Sequence, residues 1–67
     1  MDKLDFIILN YLSEGKTLNE IETLLKNNNI VPNTLSTLEK RIKRIKTTFK
    51  AKTLFHLAVI LKEYKII

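Results

Sequence analysis

Residues 34–49 read TLSTLEKRIKRIKTTF, and this stretch decides the fold because it combines an apolar stripe with a basic face. Its apolar residues recur at spacings of three and four, which is the period of one side of an α-helix. They are Leu35, Leu38, Ile42, Ile45 and Phe49. At about 100° of rotation per residue, the opposite side carries Ser36, Lys40, Lys43, Arg44 and Thr47. We therefore expect a helix with a core behind it and positive charge in front.

The positive charge of this helix has no acidic neighbours along the chain. No aspartate or glutamate occurs between Lys40 and Lys62, whereas a solvated basic face commonly alternates with acids at i, i+4. Residues 1–39 hold six acids and three bases, and residues 40–67 hold nine bases and one acid. This asymmetry predicts an oriented surface of unpaired positive charge that attracts a polyanion. A lysine-rich surface that only confers solubility is the alternative.

Length and composition exclude several classes of protein. The chain of 67 residues is one small domain without cysteine, so it has no thiolate metal site or thiol nucleophile and suits a reducing compartment. No apolar run approaches the roughly 18 to 20 residues that span a bilayer, and we expect a cytoplasmic protein with no membrane partner. The sequence offers no nucleophile–base pair and no phosphate-binding glycine loop. We expect no enzymatic activity, no cofactor, no metal and no small-molecule ligand.

Helix-start signals predict two helices before the decisive stretch. Asp2 with Asp5, and Thr17 with Glu20, have the spacing of capping boxes, and an apolar stripe follows each pair. Gly15 is expected to end the first helix in left-handed geometry. These acids are therefore interpreted as helix-start charges rather than as a catalytic pair.

The third helix follows a loop, residues 27–33, with the sequence NNNIVPN. We expect Ile30 and Val31 to anchor this loop on the core. Thr34 is the favoured N-cap of the third helix, and Ser36 with Glu39 is a competing capping box.

A fourth helix is predicted after Thr53, which has the character of an N-cap. Its sequence, LFHLAVILKEY at residues 54–64, is apolar on nearly every side. A four-helix domain this small cannot cover all of that surface, so part of it should stay exposed unless a partner covers it. His56 is the only histidine and is expected to be structural or interfacial. The prediction is an all-α fold of four helices.

Two short helices joined by a loop, the second amphipathic and base-rich, are typical of a helix-turn-helix. In that arrangement apolar side chains hold the recognition helix from behind while its front enters the major groove of DNA. The side chains with suitable chemistry and phase are Thr34, Ser36, Thr37, Lys40, Lys43 and Arg44, with Arg41 at the flank and Lys50 and Lys52 in the following loop. The scarcity of aromatic residues disfavours single-stranded nucleic acid.

The order of these features resembles the LuxR/GerE/NarL family of DNA-binding domains, which are tetrahelical helix-turn-helix modules. The family signature L-x-x-G-x-[ST]-x-x-E-I is similar to Leu12, Gly15, Thr17, Glu20 and Ile21. The family's capped third helix, with a Thr-Val pair and an aliphatic stripe, is similar to Thr34, Thr37-Leu38, Ile42 and Ile45. Its closing turn and helix resemble residues 49–67, FKAKTLFHLAVILKEYKII. The resemblance covers essentially the whole chain.

The resemblance implies sequence-specific binding of double-stranded DNA by a bacterial transcriptional regulator that works as a homodimer. Carried over by position, the contacts to bases and backbone fall on Ser36, Thr37, Glu39, Lys40 and Lys43. The family's last helix often forms the dimer contact, which agrees with its excess of apolar residues. The expected interface residues are Phe55, Val59, Ile60 and Tyr64.

The chain departs from the family pattern at several positions. Glu39 stands where many members carry a base, Lys50 replaces a usual glycine, and Glu22 replaces a small alanine behind the turn. The loop before the third helix is also several residues longer than usual. Glu39 and this loop favour an alternative, a protein-interaction module derived from a helix-turn-helix domain that docks a partner through its apolar fourth helix.

Overall fold

The computed structural model describes residues 1–67 and contains four α-helices and no strand, which confirms the predicted all-α class. The helices are α1 (Lys3–Ser13), α2 (Leu18–Asn27), α3 (Leu35–Thr48) and α4 (Leu54–Glu63). None of them has the length and apolar character needed to cross a bilayer.

The helices begin at the residues that the sequence predicted. Asp2 and Thr17 form reciprocal capping boxes with Asp5 and Glu20. Thr34 caps α3 by accepting a hydrogen bond from the backbone N–H of Thr37. The competing start at Ser36 is therefore wrong.

All four helices end in the same way, with a residue in left-handed geometry. These residues are Gly15, Asn29, Lys50 and Lys65, with φ between 56° and 87°. In each case the next N–H donates to the carbonyl five residues back, as from Ala51 to Lys46. This is the Schellman pattern, in which a left-handed residue lets the chain turn while it satisfies the last carbonyls of the helix.

Lys50 occupies a backbone conformation that favours glycine, with φ of 56°. A left-handed residue with a β-carbon carries a steric cost that exceeds the entropy cost of glycine, so Lys50→Gly should stabilise the fold by about 0.5–1 kcal/mol. The midpoint of thermal unfolding should rise by roughly 2–8 °C. Lys52→Gly is the matched control, because it removes the same charge at a position without positive φ. An equal gain from both variants would contradict the prediction.

The core consists of two clusters that share α1 and α3. The first joins Leu4, Ile8, Ile21, Leu25, Leu38 and Ile42. The second joins Leu9, Ile45, Leu57 and Leu61. The buried side of α3 therefore packs against α1 and α2 at one end and against α4 at the other, which fixes the helix and leaves its opposite side free.

The loop after α2 is anchored by only one of the two residues expected to do so. Ile30 packs against the first cluster, whereas Val31 is 76% exposed. The prediction for Val31 was wrong because consecutive side chains in a non-helical segment point in different directions, and the Schellman turn directs Ile30 inward.

Candidate nucleic-acid interface

The outward side of α3 carries a row of exposed polar side chains, which we call the α3 row. Its members are Ser36, Lys40, Lys43 and Thr47, at spacings of four, three and four residues. Leu38, Ile42 and Ile45 on the opposite side of the helix are buried. The four ion pairs of the structure involve neither Lys40 nor Lys43. Both ammonium groups are thus free to meet an anion or a base edge.

The two threonines at the start of α3 are engaged in its cap. The Oγ1 atoms of Thr34 and Thr37 lie 2.9 Å apart, and Thr34 Oγ1 also accepts from the N–H of Thr37. Ser36 is therefore the hydroxyl of the first turn that has no intramolecular partner. Glu39, one turn further along, is exposed and forms no ion pair.

The arginines of α3 are paired with the start of α1, so the prediction of unpaired charge was wrong for both. Arg41 Nη1 lies 2.8 and 2.7 Å from the two carboxylate oxygens of Asp2 and 3.1 Å from Asp5 Oδ1. Arg44 Nη2 lies 3.1 Å from Asp5 Oδ2. The acids are 36 or more residues away in sequence, and no helical spacing could have indicated them.

Asp5 is the one polar residue of the chain that is completely buried. Its carboxylate accepts from both arginines and from the backbone N–H of Asp2. The side chain of Arg41 is 19% exposed and that of Arg44 is 62% exposed. Arg41 is therefore committed to the interior network, whereas Arg44 keeps N–H groups that face solvent.

The same network shifts two pKa values. The hydrogen bond from Arg41, with that from the Asp5 N–H, lowers the pKa of Asp2, and the bond to Asp2 raises the pKa of Arg41. A carboxyl whose folded pKa is lowered stabilises the fold above its ordinary pKa. That contribution is lost as the pH falls through the lowered pKa, so the α1–α3 contact weakens only in acid.

A second acid, Glu22 of α2, holds the first residue of α3. Its Oε2 accepts from the backbone N–H of Leu35 at 2.8 Å and lies 3.8 Å from the Lys26 ammonium group. The first N–H groups of a helix have no partner within the helix. Glu22 supplies a partner from the neighbouring helix and thereby ties the first turn of α3 to α2.

The loop that follows α3 brings two more predicted residues to the surface. Lys50 and Lys52 are exposed and take part in no ion pair. The backbone N–H of Lys52 donates to His56 Nδ1 at 3.1 Å, and the N–H of His56 donates to Thr53 Oγ1 at 3.0 Å. His56 thus closes the cap of α4, which confirms its structural role.

The expected dimer residues on α4 are accessible, and they do not all border the same hollow. Phe55 is 82% exposed and borders an apolar groove of about 330 Å³ between the end of α1 and α4. Ile60 and Tyr64 line a separate hollow of about 470 Å³ beside Phe49, whose ring centre is 6.3 Å from that of Tyr64. Val59 is exposed and lines neither hollow. The prediction that α4 leaves apolar surface uncovered is confirmed.

Comparisons of this chain with protein-family models, with curated proteins and with solved structures found no match. The resemblance to the LuxR/GerE/NarL family therefore stays a prediction.

Proposed function

We propose that this chain binds double-stranded DNA with α3 in the major groove, as the DNA-binding domain of a bacterial transcriptional regulator. The observation that carries the proposal is the α3 row, in which free lysines and a free hydroxyl project from a helix whose other side is buried. The helix has 14 residues and is therefore about 21 Å long. An α-helix with its side chains is about 10–12 Å across, which fits the major groove of about 12 Å in width.

The docking of α3 supports the proposal, because a recognition helix must be held rigidly for its side chains to select bases. Glu22 holds its first turn, Asp5 holds its middle through Arg41 and Arg44, and Ile45 packs its second half against α4. Neither acid occupies the α3 row. The contacts that fix the helix leave its outward side open.

The roles of the basic residues follow from their surroundings. Lys40 and Lys43, with Ser36, occupy the positions from which base edges and adjacent phosphates can be reached. We assign Lys50 and Lys52, which are exposed in the loop after the helix, to contacts with phosphate, and Arg44 can donate its remaining N–H groups to phosphate as well. Arg41 acts mainly as a structural contact. Phosphate neutralisation supplies most of the affinity, and no chemical step is performed.

The proposal is tested by selecting bound sequences from a randomised pool of DNA duplexes at about 150 mM salt. We expect enrichment of a defined motif, and affinity for that duplex should fall steeply between about 50 and 200 mM salt. Retention without enrichment would leave only charge attraction. No retention would contradict DNA binding.

We further propose that the domain acts as a homodimer through α4, so that the selected motif contains two half-sites. Val59→Glu should convert the dimer to a monomer in sedimentation equilibrium, because it places a charge in an apolar contact. Val31→Glu is the matched control, since Val31 is the same residue type and is even more exposed, at 76% against 41% for Val59, but lies in the loop after α2. A monomeric parent, or equal dissociation of both variants, would contradict this assignment.

A second candidate function is a protein-interaction module that docks a partner through α4. The exposed Phe55 and the adjoining apolar groove favour it. An apolar contact is nearly indifferent to salt, whereas binding to DNA is not. The salt dependence of binding therefore separates the two functions.

A further inference from the structure

Glu39 is the only acidic residue of α3, and nothing in the fold uses its charge. It is exposed, it takes part in none of the four ion pairs, and it forms no side-chain hydrogen bond, although Lys43 lies four residues further along the helix. An acid in the first turn of a helix is stabilised by the positive end of the helix dipole, but Glu39 lies beyond that turn. On a helix that approaches phosphates, such a charge lowers affinity unless it meets a hydrogen-bond donor.

The position of Glu39 places it beside the α3 row. It follows Ser36 by three residues and precedes Lys43 by four, so it lies about 60° and about 40° of rotation from them on the same helical surface. It also belongs to the N-terminal half of the helix, which is the half that reaches base edges in helix-turn-helix complexes. When the α3 row faces the major groove, the Glu39 carboxylate therefore comes close to the bases.

The chemistry of the major groove restricts what a carboxylate can accept from. An ionised carboxylate offers acceptors only, and the donors in this groove are the N4 amino group of cytosine and the N6 amino group of adenine. Adenine also presents its N7 acceptor next to N6, which repels a carboxylate. Guanine presents acceptors at O6 and N7 and suits the ammonium groups of Lys40 and Lys43 instead.

We propose that Glu39 determines specificity by accepting a hydrogen bond from cytosine N4, an inference that rests on the proposed binding of duplex DNA. Each half-site then contains one cytosine opposite Glu39, and guanines at neighbouring base pairs meet the lysines of the α3 row. The acid weakens attraction to every sequence and compensates for that loss only at a site with cytosine in the correct place. This is discrimination by an unfavourable charge as well as by a favourable contact.

The test compares the wild-type protein with Glu39→Gln in selection from a randomised duplex pool, followed by competition between duplexes that differ at one base pair. Glutamine pairs with adenine through N6 and N7. We expect the wild-type protein to prefer cytosine over adenine at one position by roughly 5- to 150-fold. Glu39→Gln should abolish or reverse that preference and leave the other positions of the motif unchanged.

Glu14→Gln is the matched control, because it removes the same charge from an exposed residue outside α3. It should leave the motif unchanged, and thermal unfolding checks that both variants are folded. An enriched motif that Glu39→Gln does not alter would overturn the role of Glu39 while the proposed function stands. The absence of any enriched motif would overturn both.

Discussion

Replacement of Lys40 and Lys43 together by alanine is expected to weaken binding to the selected duplex by about 100-fold or more at about 150 mM salt. The two ammonium groups are exposed on the outward side of α3 and have no acidic partner. A good contact to a base edge contributes about 1–3 kcal/mol. Because each lysine that neutralises a phosphate releases a counterion, the slope of log affinity against log salt should also decrease by about one per lysine bound to phosphate.

The matched control for this prediction is replacement of Lys16 and Lys62 by alanine. These lysines are also exposed and free of ion pairs, but they lie in the turn after α1 and on α4. The net charge of the two double variants is identical. Fluorescence anisotropy over a series of salt concentrations measures both affinity and slope. Equal losses from the two double variants would mean that the protein attracts DNA by its overall charge and that α3 does not read the groove.

Asp5→Ala is expected to cost about 3 kcal/mol of the free energy of unfolding, which is large for a domain of this size. The carboxylate is completely buried and accepts from Arg41 and Arg44. Its removal takes the buried acceptor away from the poorly exposed Arg41, which keeps only the exposed carboxylate of Asp2, and it leaves space in the interior that no side chain fills. Arg44 contributes less because its side chain is 62% exposed and can be solvated.

Urea unfolding of Asp5→Ala and of Asp2→Ala separates the interior contact from the exposed one. Asp2 also caps α1 and pairs with Arg41, but its side chain is exposed, so its loss should lower the free energy of unfolding by clearly less than the loss of Asp5. The double variant Asp5→Ala/Arg41→Ala should be less destabilised than the sum of the two single changes, because both single changes remove the same contact between Asp5 and Arg41. Equal costs for the two aspartate variants would show that Asp5 acts only as part of the cap.

The parts of the fold that depend on local interactions could be predicted from the sequence. The caps at Asp2, Thr17, Thr34 and Thr53 join residues three positions apart, and the apolar stripe of α3 reports directly which side is buried. Such contacts are determined by spacing alone.

Other features depend on which helices become neighbours, and spacing does not reveal this. The stripe expected on α1 is one-sided, yet Leu9 is also buried because α1 packs against both core clusters. The pairing of Asp5 with Arg41 and Arg44, and the bond from Leu35 to Glu22, likewise join separate helices. For the candidate site, the residue types and their phase on α3 were available from the sequence. The sequence did not reveal that Arg41 is paired with acids of α1 whereas Lys40 and Lys43 are unpaired.

The sharing of the core between two clusters has a consequence for how the domain opens. The cluster of α1, α2 and α3 is complete without α4, whereas α4 contributes only Leu57 and Leu61 to the smaller cluster. A helix held by so few buried residues can detach while the other three stay folded. If a second copy covers the apolar side of α4, the formation of the dimer and the docking of α4 on its own domain are thermodynamically coupled. The stability of residues 54–67 would then increase with the concentration of the protein.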